Sequence, residues 1–169
     1  MLDLDLRLSP HFIARELFDP AKYTNVKNKK TGKPYTIKEI EQLVPAVKVD
    51  ARLLKLLEVL RAGYREKYPG AVLVICPHGG YRPEPLNTAV GGASGSQHRY
   101  GNAADFSVKL PDGRKLDAPT AAVMAEYLMA KAGIKGGVGM YHATDNYIHV
   151  DARGTNVAWY DSYSSAGCP

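Results

Sequence analysis

Apolar residues recur at three- and four-residue spacing in two stretches of the chain, and in short unbroken runs elsewhere. From residue 50 to about 67, Leu53, Leu54, Leu57, Val59 and Leu60 supply most of an apolar face, predicting a long helix that Pro69-Gly70 ends. A second long helix is predicted from Asp117 or Thr120 to about Ala132, just before Gly133. The run Val72-Leu73-Val74-Ile75-Cys76 reads as a buried strand, and residues 103–108 as another. A hairpin-like turn around Pro111-Asp112-Gly113 follows. Residues 137–141 and 147–150 read as two short antiparallel strands joined by 142–146.

The N-terminal third is more broken. Ser9-Pro10 has the form of a helix start, with Ser9 as cap and a short helix over 11–17. Residues 20–35 are polar and turn-rich, and Thr36 is placed to cap a short helix from Ile37 to about Leu43. Residues 77–101 are rich in Gly, Pro, Ser and Asn, predicting a long ordered loop or a surface helix turn, and loops of that length are usually functional. The outline is α+β: helices packed on a small, mainly antiparallel sheet. The 169 residues suit a single domain over 1–169, with N-terminal helices and loop in 1–48 and a loose Ser/Gly-rich tail from 161 to 169.

Composition narrows the classes. No apolar run approaches the roughly 20 residues of a membrane helix. Met1-Leu2-Asp3-Leu4-Asp5-Leu6 alternates acid and leucine and lacks the basic start of a signal peptide. The formal net charge of +5 suits either an anionic polymer partner or a soluble protein with surplus lysines. The basic stretch 27–33 reads as a solvated loop, and no nucleic-acid motif accompanies it. Cys76 reads as a buried core thiol, and nothing in its spacing from Cys168 argues for a disulfide.

Three segments carry chemistry: Gly80-Tyr81-Arg82-Pro83, residues 96–105, and Tyr147-Ile148-His149-Val150-Asp151. His98 and Asp105 are separated by Gly101, which lets the chain turn sharply and bring a loop imidazole to a strand carboxylate. His149 alternates with Ile148 and Val150, so it faces the side of its strand opposite to theirs. Two histidines and one carboxylate are good zinc ligands and leave a coordination position open. By spacing alone, each histidine reads more readily as a surface or hydrogen-bonded residue without metal.

Taken together, the segments resemble the zinc D-Ala-D-Ala peptidase family. The resemblance rests on Ser-x-His-x-x-Gly-x-Ala-x-Asp over Ser96 to Asp105, on His149-Val150-Asp151, on Gly80-Tyr81-Arg82-Pro83 followed by Asn87, and on Gly136-Gly137-Val138-Gly139-Met140-Tyr141. It covers roughly 71–160, and residues 9–19 are similar to the start of the zinc carboxypeptidase branch. It implies a Hedgehog/DD-peptidase-like fold and Zn2+ held by His98, Asp105 and His149. Arg82 falls on the position that steadies the substrate carbonyl or oxyanion, and Ser96 on one near the substrate that could equally hold the turn.

The general base departs from the family pattern, since the usual positions hold Asn146 and Tyr147. Asp151 is the nearest alternative, either as base or as a residue orienting a ligand; His142 and Asp145 are further candidates. The resemblance implies a peptidoglycan peptide as partner, with no nucleic acid and no membrane span, and a monomer. Its rivals are a phage endolysin cleaving L-alanyl-D-glutamate and a silent, zinc-bearing wall-binding or virion module. The substrate lies outside the cytoplasm while no leader is seen, so a phage protein released at lysis or carried on a virion is expected.

Overall fold

The computed structural model describes residues 2–142, 145–160 and 167–169. Five helices, α1 (Ala14–Leu17), α2 (Ile37–Leu43), α3 (Ala51–Lys67), α4 (Leu86–Ala89) and α5 (Ala118–Lys131), accompany five strands. The strands are β1 (Val72–Ile75), β2 (Ala103–Lys109), β3 (Gly137–Tyr141), β4 (Tyr147–Asp151) and β5 (Val157–Tyr160). They form one sheet in the order β1-β2-β4-β3-β5. Every pairing is antiparallel except β3 with β5, which is parallel. This is the expected α+β class, with one strand more than the sequence pattern predicted.

Each long helix begins where its cap dictates. The Asp50 carboxylate accepts from Arg52 N at 2.8 Å, and that of Asp117 from Thr120 N at 2.9 Å, satisfying donors that a helix start leaves open. The buried face of α3 is Leu53, Leu56, Leu57, Leu60 and Tyr64. Leu56 completes the stripe, while Leu54 and Val59 pack at its margin. α3 and α5 cover one face of the sheet, against Leu73, Phe106, Val108, Ile148 and Val150. Burying each of these large side chains contributes about 1.5–3 kcal/mol.

A second apolar cluster ties the N-terminal segment to the loop after β1: Phe18, Tyr23, Tyr35, Ile40, Tyr81 and Leu86 are buried together. Tyr81 N donates to Leu17 O at 2.7 Å. The expected helix over 11–17 is shorter, because the Ser9 hydroxyl and the His11 ring both bind Glu58 of α3, at 2.6 and 2.7 Å. Those side chains anchor the segment to α3, and Ser9 caps nothing. Thr36 caps α2 as expected, with Glu39 bonding back to it.

The pairing of the two cysteines, left open by the sequence, is seen in the structure. Cys76 and Cys168 form a disulfide with a Cα–Cα separation of 4.5 Å. It brings residues 168 and 169 beside β2, where Ser107 Oγ donates to Pro169 O, and Lys115 Nζ donates to Cys168 O. Sequence spacing carried no sign of the pair because the contact closes across 92 residues. The rest of the expected loose tail, 161–166, lies outside the described residues. Among the described residues, no helix is long and apolar enough to cross a membrane.

Candidate metal centre and its cleft

The face of the sheet turned away from α3 and α5 carries the chemistry. Residues directly opposite on paired strands share a face. One rung across four strands therefore reads Asp105, His149, Gly139, Trp159. The adjoining rung places Ala103, Asp151, Gly137 and Val157 on the same face. Glycine is needed at both β3 positions. A Cβ at Gly139 would collide with the Trp159 ring, and one at Gly137 with the Asp151 carboxylate. With no side chain between them, the Trp159 and His149 rings lie 5.0 Å apart.

His98 reaches the same place from a 3-10 turn over Gln97–Tyr100. The turn ends at Gly101 with φ 69°, as expected, and a Cβ there would meet the Lys48 carbonyl. His98 is tied to the Arg82 segment at both ends: its Nδ1–H donates to Gly80 O at 2.8 Å, and its own carbonyl accepts from Arg82 N at 3.0 Å.

His98, Asp105 and His149 converge as expected, with one ligand atom from each lying within 4.8 Å of the others. Asp105 Oδ1 is 2.8 Å from His149 Nδ1 and 3.2 Å from His98 Nε2, and the two imidazole nitrogens are 3.2 Å apart. All three side chains are buried. The far nitrogens are occupied: His98 Nδ1 by a carbonyl, His149 Nε2 by Asp151 Oδ2 at 3.0 Å. Neutral rings bonded in this way turn lone pairs inward beside a carboxylate oxygen.

Such a cluster requires positive charge at its centre. Burial opposes ionisation of Asp105, yet His98 and His149 hold its carboxyl well below the usual range. Burial likewise opposes charge on His149, but Asp105 and Asp151 raise it overall. Burial, against the pull of Asp105, holds His98 below its ordinary value. A proton on His149 supplies one charge, whereas a divalent cation supplies two and contacts all three atoms. The donor set of two imidazoles and one carboxylate suits zinc.

Around this centre is a cleft of about 460 Å³. Its walls include His78, Arg82, Ser96, Tyr147, Arg153 and Trp159. Arg82 Nη1 is 3.9 Å from Asp105 Oδ2, and its buried Nε has no hydrogen-bond partner among the described residues. Ser96 opens the turn that carries His98 without capping it through its side chain. Asn87, fully buried, donates to Ala93 O at 2.9 Å and to Glu84 at 3.2 Å, pinning the glycine-rich wall. A larger apolar groove of about 830 Å³ between α3 and α5 contains none of these residues.

Asp151 sits behind His149 rather than on the cleft. It is fully buried, one oxygen accepting from Gly137 N at 3.1 Å, and both are gripped by Arg153, with Nη2 at 2.6 Å and Nε at 2.8 and 3.0 Å. With its oxygens occupied, its placement is that of a residue orienting a ligand and not of a base toward the cleft. Asn146 is committed elsewhere, accepting from Ala118 N and donating to Leu116 O. The Tyr147 ring stacks on Tyr141 at 4.6 Å. Sequence reasoning missed His78, Arg153 and Trp159. The single tryptophan was a usable signal, but β5 is too short to show periodicity.

Two histidines and one aspartate that could hold a metal ion thus lie buried at a cleft of an α+β sheet, the layout of a catalytic metal centre. The family model described as Peptidase M15 matches residues 33–151, and the chain belongs to that family of zinc metallopeptidases. No curated protein and no solved structure matches the chain.

Proposed function

We propose that this protein hydrolyses peptide bonds in peptidoglycan stem peptides or their cross-links, in the manner of a D-Ala-D-Ala carboxypeptidase or endopeptidase. The observation that carries the reading is the convergence of His98 Nε2, Asp105 Oδ1 and His149 Nδ1 beside an arginine whose buried Nε lacks an acceptor. His98, Asp105 and His149 would hold the zinc. When bound, zinc supplies the Lewis acidity that polarises an amide carbonyl and makes water nucleophilic near neutral pH. Arg82 offers a permanently charged fork to the carbonyl oxygen as negative charge develops there. Asp151, clamped by Arg153, fixes the orientation and tautomer of His149. Ser96 contributes a wall position where a substrate amide can bond.

Among the described residues lining the cleft, Asp105 is the one carboxylate, while Arg82 and Arg153 are both present. That balance suits a peptide bearing free carboxylates, as stem peptides do. The Cys76–Cys168 disulfide supports work outside a reducing cytoplasm, consistent with a protein released at lysis or carried on a virion. Purified peptidoglycan digested by zinc-loaded protein, with and without chelator, tests the reading by mass spectrometry. Chelator-sensitive release of D-alanine or of shortened stem peptides is expected. New D-glutamate N-termini would shift the bond toward an endolysin, and zinc held without product would overturn the peptidase reading.

A further inference from the structure

Hydrolysis of an amide needs a group that takes a proton from the attacking water and returns it to the leaving nitrogen. Asp151 lies behind His149, and Asn146 holds the start of α5. Neither His142 nor Asp145 is among the cleft-lining residues. With the three candidate ligands set aside, the titratable side chains of the described lining are Tyr141, Tyr147, Arg82, Arg153 and one further imidazole, His78, and imidazole is the type suited to exchange protons near neutrality.

We propose that His78 is the proton acceptor of this site. The inference rests on the peptidase reading above. His78 Nε2 is 2.8 Å from Lys22 O. A carbonyl oxygen only accepts, so Nε2 carries the hydrogen and the neutral ring keeps its lone pair on Nδ1. The ring packs on Tyr23 with centroids 4.7 Å apart, and Tyr23 is itself buried in the N-terminal cluster. Its backbone is held to the ligand strand: Gly79 N donates to Cys76 O at 2.8 Å, Gly79 O accepts from Asp105 N at 2.7 Å, and Cys76 N donates to Asp105 O at 3.0 Å. The imidazole thus has a fixed tautomer, a packed face and a place on the same cleft as the metal centre.

The groups facing it are Tyr23, Arg82 and Lys22. Burial, then the charges of Arg82 and Lys22, hold the ring below its ordinary value, against the bond to the Lys22 carbonyl. It is therefore neutral, and able to accept, at neutral pH. In the reaction a water O–H bond breaks as Nδ1–H forms and the oxygen bonds the carbonyl carbon. The same proton then passes to the amide nitrogen as the C–N bond breaks, returning the ring to its neutral form.

The test is His78→Ala and His78→Gln in the full chain, assayed with zinc on a defined stem peptide. A fall in kcat of about 10²-fold or more is expected, with KM, zinc stoichiometry and circular dichroism unchanged. Free imidazole should restore turnover to His78→Ala but not to His78→Gln. In the metal-free protein, nitrogen-15 shifts should show His78 protonated at Nε2. Wild-type kcat in His78→Ala, a ring protonated at Nδ1, or rescue by the glutamine variant alone would each overturn the role while leaving the peptidase reading intact. A zinc-loaded wild type that cleaves no stem peptide would overturn both.

Discussion

Two neighbouring rungs of the sheet make an instructive pair. One reads Ile75, Phe106, Ile148, Met140 and faces the long helices. The next, one residue along each strand, reads Asp105, His149, Gly139, Trp159 and faces the cleft. In the first, similar apolar volumes meet and any of several residues would fill the space. In the second, each position answers to its neighbours: glycine because tryptophan crosses it, and histidine because a carboxylate stands on either side. The first rung holds the sheet together, and the second uses the rigidity so gained to fix three ligand atoms.

The largest expected effect lies on the cleft rung and its partner turn. His98→Ala should leave the chain folded, remove stoichiometric zinc and reduce hydrolysis to background, read by metal analysis and product mass spectrometry. Retained hydrolysis would sink the assignment of the centre. On the opposite rung, Phe106→Ala empties a fully buried site and should cost about 3–5 kcal/mol in denaturant melts. A variant that lost zinc but no stability would blur the division between the faces. The disulfide lies on the cleft side of the sheet, packed with Tyr147 and Tyr141. Cys168→Ala opens a loop of 92 residues and should cost about 3 kcal/mol, or more if the entropy of so long a loop is fully expressed. Reductant should reproduce the loss in the wild type and add nothing in the variant.

The same contrast explains what could be read in advance. α3 was visible as periodic apolar residues and β1 as an apolar run, while the start of α5, left between Asp117 and Thr120, is fixed by the Asp117 cap. The candidate ligands were visible through resemblance, because His98, Gly101, Asp105 and His149 fall on the family's motif positions. What stayed hidden depends on contacts between distant segments. β5 is four residues long and mostly exposed, so no pattern marks it, and only its pairing with β3 brings Trp159 over Gly139. Cys76 looked like a core thiol because it is buried beside apolar strand residues, and its partner comes from the far end of the chain. The role of Asp151 turned on Arg153, a charged residue whose importance shows only when its fork is seen on both carboxylate oxygens.

That fork gives the smallest and most discriminating test. Arg153→Ala leaves the three candidate ligands untouched but removes the guanidinium from Asp151, which then has only Gly137 N, the backbone N of residue 153 and the His149 ring to orient it. Loss of such an outer partner typically weakens metal binding 10- to 100-fold, so zinc affinity by competition titration should fall by about that factor. If affinity holds, Gly137 and the strand register position His149 without help from Arg153. The clamp also carries a pH signature. Burial raises the Asp151 carboxyl, but His149 and Arg153 together hold it well below the ordinary range. A depressed carboxylate contributes stability above its unfolded value near 4, and that contribution is lost as pH falls through the folded value. Without Arg153 the folded value rises toward the unfolded one, so in metal-free protein the stability lost between pH 5 and 3 should be smaller, measured by urea melts. Coincident acid limbs in the two proteins would mean that His149 alone keeps Asp151 ionised.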